Sequence, residues 1–304
     1  MFPIKLKNKI MKFNFLNNGV EYSGSIFEKG GCERLVKEIR NSRNFSKIFL
    51  TKKDWQNKKF SYIKNNPGPG RNLLNKLETQ FIFENKKFKN IMTSVLGKNY
   101  RILDSKLVMG FPIHYIPKWI LEIKKNHHTV NLGEFIKPKY RDITYFRGID
   151  FHQDIIDFPT RSPDFVTAYI YLEDVDLSSA PLYVIPNSFK LGATTYPHQI
   201  DKLAKNKINY SVSLKRNMKC NFKVLVGKQG TLHYWHPFIL HGTQPQKKDV
   251  SRLSVRLLVE KNRQIDINCD LDKVNKKIKG KMKLDIYNLE SKKKSKKNFI
   301  NKLQ

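Results

Sequence analysis

The residues with the clearest chemical potential lie in one short stretch, Gly148-Ile149-Asp150-Phe151-His152-Gln153-Asp154, where an imidazole and a carboxylate stand two positions apart. On an extended strand, residues i and i+2 point to the same face, so His152 and Asp154 can reach one metal ion. A His-x-Asp triplet alone arises by chance in many chains, and a surface histidine beside two acids is the plain alternative. His241, in Leu240-His241-Gly242-Thr243, supplies a third donor. Two imidazoles and one carboxylate form the facial arrangement that leaves three coordination positions open on Fe(II). A keto acid can take two of these through its 2-oxo and C1 carboxylate oxygens, and dioxygen the last.

Arg252 opens the run Arg252-Leu253-Ser254-Val255-Arg256, downstream of His241. A guanidinium fork matches the distal carboxylate of 2-oxoglutarate bidentately, which a lysine does less specifically. Thr243 can add a hydroxyl to the same carboxylate. Alternation along a strand puts residues 252, 254 and 256 on one face, so Arg256 competes for the role. The spacing from His241 favours Arg252.

The elements that must position these residues are short and strand-like. Phe165 to Leu172, Leu182 to Ile185, Thr231 to Trp235 and Leu253 to Val259 are each flanked by Pro, Gly, Ser or Asp, the punctuation of a β-rich half. The first third reads helical. Glu33 to Ile39 and Leu73 to Leu96 carry apolar residues at three- and four-residue spacing, with Gly97 as a stop. Between them Asn66-Pro67-Gly68-Pro69-Gly70 is a loop by its chemistry. Phe111 to Tyr140 mixes Pro112, Pro117, Trp119, His127, His128 and Pro138, which suits an irregular lid or binding loop. One domain over residues 1–262 is expected, followed by a basic C-terminal tail or peripheral helix over 263–304.

Composition bounds the function classes. The 304 residues are 39% hydrophobic and 12% aromatic, enough for a packed interior and unlike a disordered chain. The formal charge of +32 raises the question of nucleic acid or anionic membranes. The lysines are scattered through the chain, however, and only Lys292, Lys293, Lys294, Lys296 and Lys297 form a dense run, so no specific nucleic-acid partner is expected. Cys32, Cys220 and Cys269 lack paired spacing, which fits a reducing cytoplasm. Lysines interrupt the apolar residues near the N-terminus, so neither a signal peptide nor a membrane span is expected.

With these residues in view, the sequence resembles the phytanoyl-CoA dioxygenase (PhyH) family of Fe(II)/2-oxoglutarate oxygenases. The resemblance rests on His152-Gln153-Asp154, Tyr169-Ile170-Tyr171-Leu172-Glu173, the Leu182 to Gly192 stretch, and His241-Gly242-Thr243 followed by Arg252. It covers about residues 145 to 260. It implies a mainly β protein with flanking helices, built on a double-stranded β-helix or jelly-roll core from about residue 100 to 262. It further implies iron at His152, Asp154 and His241, with the cosubstrate at Arg252 and Gln153 and Thr243 as helpers. The implied reaction converts 2-oxoglutarate and O2 to succinate and carbon dioxide while hydroxylating an unactivated C–H bond of a small-molecule substrate.

The sequence departs from the family pattern at Pro186-Asn187-Ser188-Phe189, where Pro-Gly-Ser-His is usual, and at Ser179-Ala180, where Asn-Gly is usual. Tyr169 stands at a usual tryptophan position. These changes touch the substrate pocket, so a fatty acyl-CoA is not carried over. Tyr145, Arg147, Phe151 and the 111–140 excursion are candidates for the pocket wall, and His198 for its mouth. His233 and His236 are either supporting groups or ordinary strand residues; His114, His127 and His128 read as exposed. Two rival functions stand beside this one: a catalytically inactive jelly-roll binding protein, and an AlkB-like nucleic-acid oxygenase.

Overall fold

The computed structural model describes residues 14–284 apart from 62, 69, 126–130, 195–197, 205, 214, 244–248, 250 and 263–267. Its strands are β1 (Val20–Ser25), β2 (Arg101–Gly110), β3 (Thr144–Phe146), β4 (Ile149–His152), β5 (Phe165–Tyr171), β6 (Leu182–Ile185), β7 (Gln199–Ala204), β8 (Lys207–Ser213), β9 (Arg216–Asn221), β10 (Lys223–Leu225), β11 (Thr231–Trp235), β12 (Leu240–Thr243) and β13 (Arg252–Glu260). A six-stranded sheet runs β1-β11-β5-β13-β2-β3, a four-stranded sheet runs β10-β6-β12-β4, and a three-stranded sheet runs β7-β8-β9.

From β4 onward the chain steps between the first two sheets. β4, β6, β10 and β12 lie in the smaller one, and β5, β11 and β13 in the larger. Antiparallel strands exchanged in this way between two facing sheets form the expected double-stranded β-helix. Tyr171 of β5 reaches across the interior to donate to the carbonyl of Leu225 in β10, at 2.7 Å.

Both faces of the larger sheet are covered, so its strands read as apolar runs rather than alternating ones. All seven residues of β5 are buried, as are all of β13 except Arg256. The helix Lys29–Asn41 contributes Cys32, Leu35, Val36 and Ile39, one stripe at helical spacing. The helix Lys86–Leu96 adds Phe88, Met92, Val95 and Leu96, and ends at Gly97, whose φ of 92° is a left-handed stop. Each such side chain withdrawn from water contributes about 1.5–3 kcal/mol to the core.

The expected helix over 73–96 is broken into Leu73–Lys76, Gln80–Phe83 and Lys86–Leu96. An asparagine side chain lies at the second break, and another starts the first piece. Asn72 accepts from the backbone of Leu74 and Asn85 from that of Phe88, at 3.0 and 2.9 Å, so each starts a new helical piece. β1 falls in the third read as helical and is a strand of the large sheet, while β2 opens the core at about the expected residue 100. β2 and β3 are parallel neighbours, and such a pair requires a long crossover. The 111–140 excursion provides it, with short helices at Ile113–Tyr115 and Lys118–Ile123.

β7–β9 form a layer over the outer face of the smaller sheet, where Ile200, Ile208 and Tyr210 pack on Phe151, Tyr183, Ile185 and Leu240. Of the segment read as a basic tail, residues 268–284 pack onto the body. The helix Asp270–Asn275 buries Leu271 and Val274, and Leu284 is also buried. The lysine run at 292–297 lies outside the described residues. The three cysteines are free, and among the described residues no helix is long and apolar enough to cross a membrane.

Candidate metal centre

β4 and β12 pair antiparallel with His152 opposite His241, and the register slips between His241 and Thr243. Such an irregularity re-aims side chains at one end of a strand pair. Gly242 permits the close approach, since a Cβ there would lie 2.7 Å from the carbonyl oxygen of Ile149. The two imidazole centroids stand 4.3 Å apart. Asp154 follows β4 in the short turn Asp154–Asp157. One potential donor atom from each of His152, Asp154 and His241 falls within 4.8 Å of the other two.

Backbone carbonyls select the histidine tautomers. The Nδ1 of His152 lies 2.9 Å from the carbonyl oxygen of Asp150, and that of His241 lies 3.0 Å from Ile239. Donation from both Nδ1 atoms leaves each Nε2 lone pair available. The Nε2 of His241 is 3.4 Å from Oδ2 of Asp154. Burial lowers the pKa of His241 to about 4, against the raising effect of Asp154, so the ring is neutral at physiological pH.

Asp154 is buried, which alone would raise its pKa. The Arg256 guanidinium, the two histidines and the Thr167 hydroxyl outweigh that effect and hold the carboxyl well below the usual range. Its Oδ2 accepts from the Thr167 hydroxyl at 2.5 Å and the Trp235 indole N–H at 2.9 Å. Its Oδ1 accepts from Arg256 Nη2 at 2.6 Å, and the same nitrogen donates to Asp157 at 3.0 Å.

The two competing arginines therefore have different surroundings. Arg256 pairs with acids, whereas Arg252 is 1% exposed and makes no ion pair among the described residues. Arg252 donates to the carbonyl of Ala180 and, at 3.2 Å, to the hydroxyl of Tyr169. Its Nε has no partner. Phe146, Tyr169 and Tyr171 surround the guanidinium, with centroids 4.9, 5.8 and 6.0 Å from its carbon. Tyr169 stacks on Trp235 at 5.8 Å, and Trp235 lies 4.8 Å from His241. A continuous aromatic wall thus joins the cluster to Arg252.

The structure gives Gln153 and Thr243 other partners than a cosubstrate. Gln153 donates to the carbonyls of Gly192 and Phe238 at 3.0 and 2.8 Å, and its oxygen accepts from the backbone and hydroxyl of Thr194 at 2.8 and 3.2 Å. Its amide is saturated, and it ties together the loops flanking the cluster. Thr243 directs its single hydroxyl proton to the carbonyls of Ala180 and Pro181, at 2.8 and 3.0 Å.

Strand parity decides the aromatic candidates. Phe151 alternates with His152 and packs under β7–β9, while Tyr145 accepts from Arg43 at 3.0 Å and packs on Phe111. The pocket aromatic on β3 is instead the next residue, Phe146. Arg147 is half-buried, and burial lowers its pKa against the raising effect of Asp249. The exposed His114 lies 2.6 Å from Asp249. His198 lies 3.2 Å from the Thr194 hydroxyl, its pKa lowered to about 3 by burial and then by His152 and His241. His236 pairs with Asn275 at 2.8 Å, and His127 and His128 fall outside the described residues.

Residues 122–254 match the family model described as Phytanoyl-CoA dioxygenase (PhyH). Over this segment the chain is similar to the phytanoyl-CoA dioxygenase family. The matched segment contains all three cluster residues and Arg252, and it bears out the family resemblance read from the sequence. Among solved structures, this chain is similar to the non-heme monooxygenase ThoJ in its apo form, at 12% identity over 82% of this chain and 76% of that one, TM-score 0.49. It is also similar to the epimerase SnoN in complex with Fe3+, alpha ketoglutarate and nogalamycin RO, at 11% identity over 84% and 90%, TM-score 0.48. A third is HygX from Streptomyces hygroscopicus with nickel, 2-oxoglutarate and hygromycin B bound, at 12% identity over 82% and 85%, TM-score 0.40. The comparison with curated proteins gives no match.

One departure from the PhyH pattern acquires a structural meaning. Ala180, where the family usually has glycine, has a φ of +54°, a left-handed conformation that disfavours a Cβ. Its carbonyl receives both Arg252 and Thr243. A backbone conformation that favours glycine is therefore adopted here by an alanine.

Proposed function

We propose that this protein is a non-haem Fe(II)/2-oxoglutarate-dependent dioxygenase that hydroxylates an unactivated C–H bond of a small organic substrate. His152, Asp154 and His241 would hold the iron, and Arg252 the distal carboxylate of 2-oxoglutarate. The donor set fits the metal: two imidazoles with both Nδ1 atoms engaged by carbonyls, and one carboxylate kept ionised. The observation that carries the reading is Arg252, a buried guanidinium that makes no ion pair among the described residues and feels only the more distant charge of Glu173, joined to the cluster by Trp235 and Tyr169. A buried cation without a counter-ion is costly unless an anion completes it.

When bound, iron with 2-oxoglutarate supplies the oxidising chemistry, releasing succinate and carbon dioxide. The protein's own residues do the rest. Arg252 orients the cosubstrate by its far end, with Tyr169 fixing the guanidinium. Phe146, Tyr169, Tyr171 and Trp235 exclude water from the space between. Thr167, Trp235 and Arg256 fix the Asp154 carboxylate, and Gln153 locks the segment between the first two ligands onto the 192–194 and 238 loops.

The test is succinate formation from 2-oxoglutarate by anaerobically Fe(II)-loaded protein exposed to oxygen, with His152→Ala and Arg252→Ala alongside and a small-metabolite panel added. Turnover by the wild type, lost in both variants, is the expected result, and stimulation across the panel would identify the substrate class. If all three proteins are silent and Fe(II) does not bind, the jelly roll is a binding protein and this reading is wrong.

A further inference from the structure

Arg256 remains without a role in cosubstrate binding, yet it is placed at the cluster by two acids. It is the one residue of β13 that is not fully buried, and its strand position sets it opposite Tyr169 of β5. Its Nη2 carries two hydrogens and lies within reach of two carboxylates, 2.6 Å from Oδ1 of Asp154 and 3.0 Å from Oδ2 of Asp157. One N–H can thus go to each aspartate. Asp157, with 43% side-chain exposure, faces Arg256 from the solvent side, so the guanidinium is held from outside while it holds Asp154 from within.

The two oxygens of Asp154 are therefore unequal. Oδ2, 3.4 Å from His241 Nε2, faces the cluster and is steadied by Thr167 and Trp235. Oδ1 is engaged by Arg256. A carboxylate that ligated through both oxygens would have to break the arginine contact and would occupy one more coordination position. Given the oxygenase reading above, on which this inference rests, that position is needed: a chelating keto acid takes two and dioxygen the third.

We propose that Arg256, braced by Asp157, is a positioning residue that confines Asp154 to one-oxygen coordination and so keeps a place open for the keto acid. It acts through Asp154 and touches neither cosubstrate nor substrate. The two arginines of β13 divide the work: Arg252 receives the cosubstrate and Arg256 fixes the ligand that makes room for it.

The experiment separates metal binding from keto-acid binding. Mn(II) affinity is measured by calorimetry on the full chain, and 2-oxoglutarate is titrated anaerobically into the Fe(II)-loaded protein by the visible charge-transfer absorption of an iron–keto acid chelate. In Arg256→Gln, Mn(II) affinity should stay within about threefold of wild type or tighten, while 2-oxoglutarate affinity falls by about tenfold or more, the usual size of an outer-shell effect. Arg256→Lys, which can still donate to Oδ1, should recover part of the chelate signal. Asp157→Asn keeps both Arg256 and Asp154, and it carries the same test should Arg256→Gln fail to fold; it should weaken 2-oxoglutarate in the same direction by a smaller factor. An equal loss of Mn(II) and 2-oxoglutarate affinity would make Arg256 a mere scaffold and overturn the proposal, as would unchanged 2-oxoglutarate binding in the variants. Absence of the chelate signal in the wild type would instead remove the oxygenase reading, and this proposal with it.

Discussion

The two halves of the jelly-roll interior differ in how completely the protein satisfies its own polar groups. At the cluster, Asp154 accepts from Thr167, Trp235 and Arg256, both histidine Nδ1 atoms meet carbonyls, and Gln153 is saturated. Around Tyr171, by contrast, Arg252 Nε, Ser254 Oγ and both ring nitrogens of His233 are buried without a partner among the described residues. Leaving a buried donor or acceptor unpaired costs about 1–3 kcal/mol per group. The first half is thus organised in advance by the chain, and the second leaves polar groups that a ligand, on the proposed function, would complete. A metal site needs fixed donors, whereas an anion site can wait for its anion.

Arg252→Leu tests that contrast most severely. If Arg252 forms two charge-assisted bonds to the cosubstrate, each worth about 1.5–3 kcal/mol, succinate formation should fall by about a hundredfold or more. The apo protein should nevertheless melt no lower than wild type, because the substitution removes a buried charge with no direct ion pair among the described residues rather than one half of a pair. Calorimetric melting with and without 2-oxoglutarate and Mn(II) would show both effects. A large loss of apo stability would mean that the Ala180 and Tyr169 contacts already satisfy the guanidinium, and the contrast would be lost.

The pH dependence of stability sharpens the same comparison. Burial lowers His233 to about 3 and His236 to about 4, the latter against the raising effect of its bond to Asn275. Their unfolded values lie near 6.5. Because the folded values are depressed, between about pH 6.5 and 4 the unfolded chain binds more protons, and stability present above that window is lost as pH falls through it. Each such histidine adds a slope of ~1.4 kcal/mol per pH unit inside the window. His233→Phe, which fills the same aromatic contacts to Tyr22 and Tyr171, should flatten the slope by about that amount. Denaturant unfolding of the apo protein at pH 7, 6 and 5 measures it, and an unchanged slope would show that His233 protonates in the folded state.

How far the sequence revealed these features follows from what kind of information each one needs. The grouping of His152, Asp154 and His241 was legible because its chemistry is in the residue type and the resemblance supplies the order along the chain. The roles of Thr167, Trp235 and Arg256 were not, since they depend on cross-strand register, which brings β5, β11 and β13 together from distant parts of the chain. Parity explains the exchange of Tyr145 for Phe146: on a strand a one-residue error moves a side chain to the other face. β1 was hidden by its polar composition, and the three-stranded β7–β9 by lysine and asparagine on its open face. There only Ile200, Ile208 and Tyr210 mark the buried side.

Ala180 offers the smallest and most local test, because it separates backbone shape from residue identity. At a φ of +54°, an alanine bears about 1–2 kcal/mol of strain relative to a right-handed conformation. Glycine relieves that strain but gains freedom in the unfolded chain, which returns about 0.5–1 kcal/mol. Ala180→Gly, restoring the residue the family usually has, should therefore stabilise the protein by up to about 1 kcal/mol, read as a shift in the denaturation midpoint at constant slope. The methyl group is buried, at 1% exposure for the residue, so its packing opposes the gain. If the variant is less stable, packing outweighs strain, and the alanine supports the carbonyl that receives Arg252 by filling space rather than merely tolerating the turn.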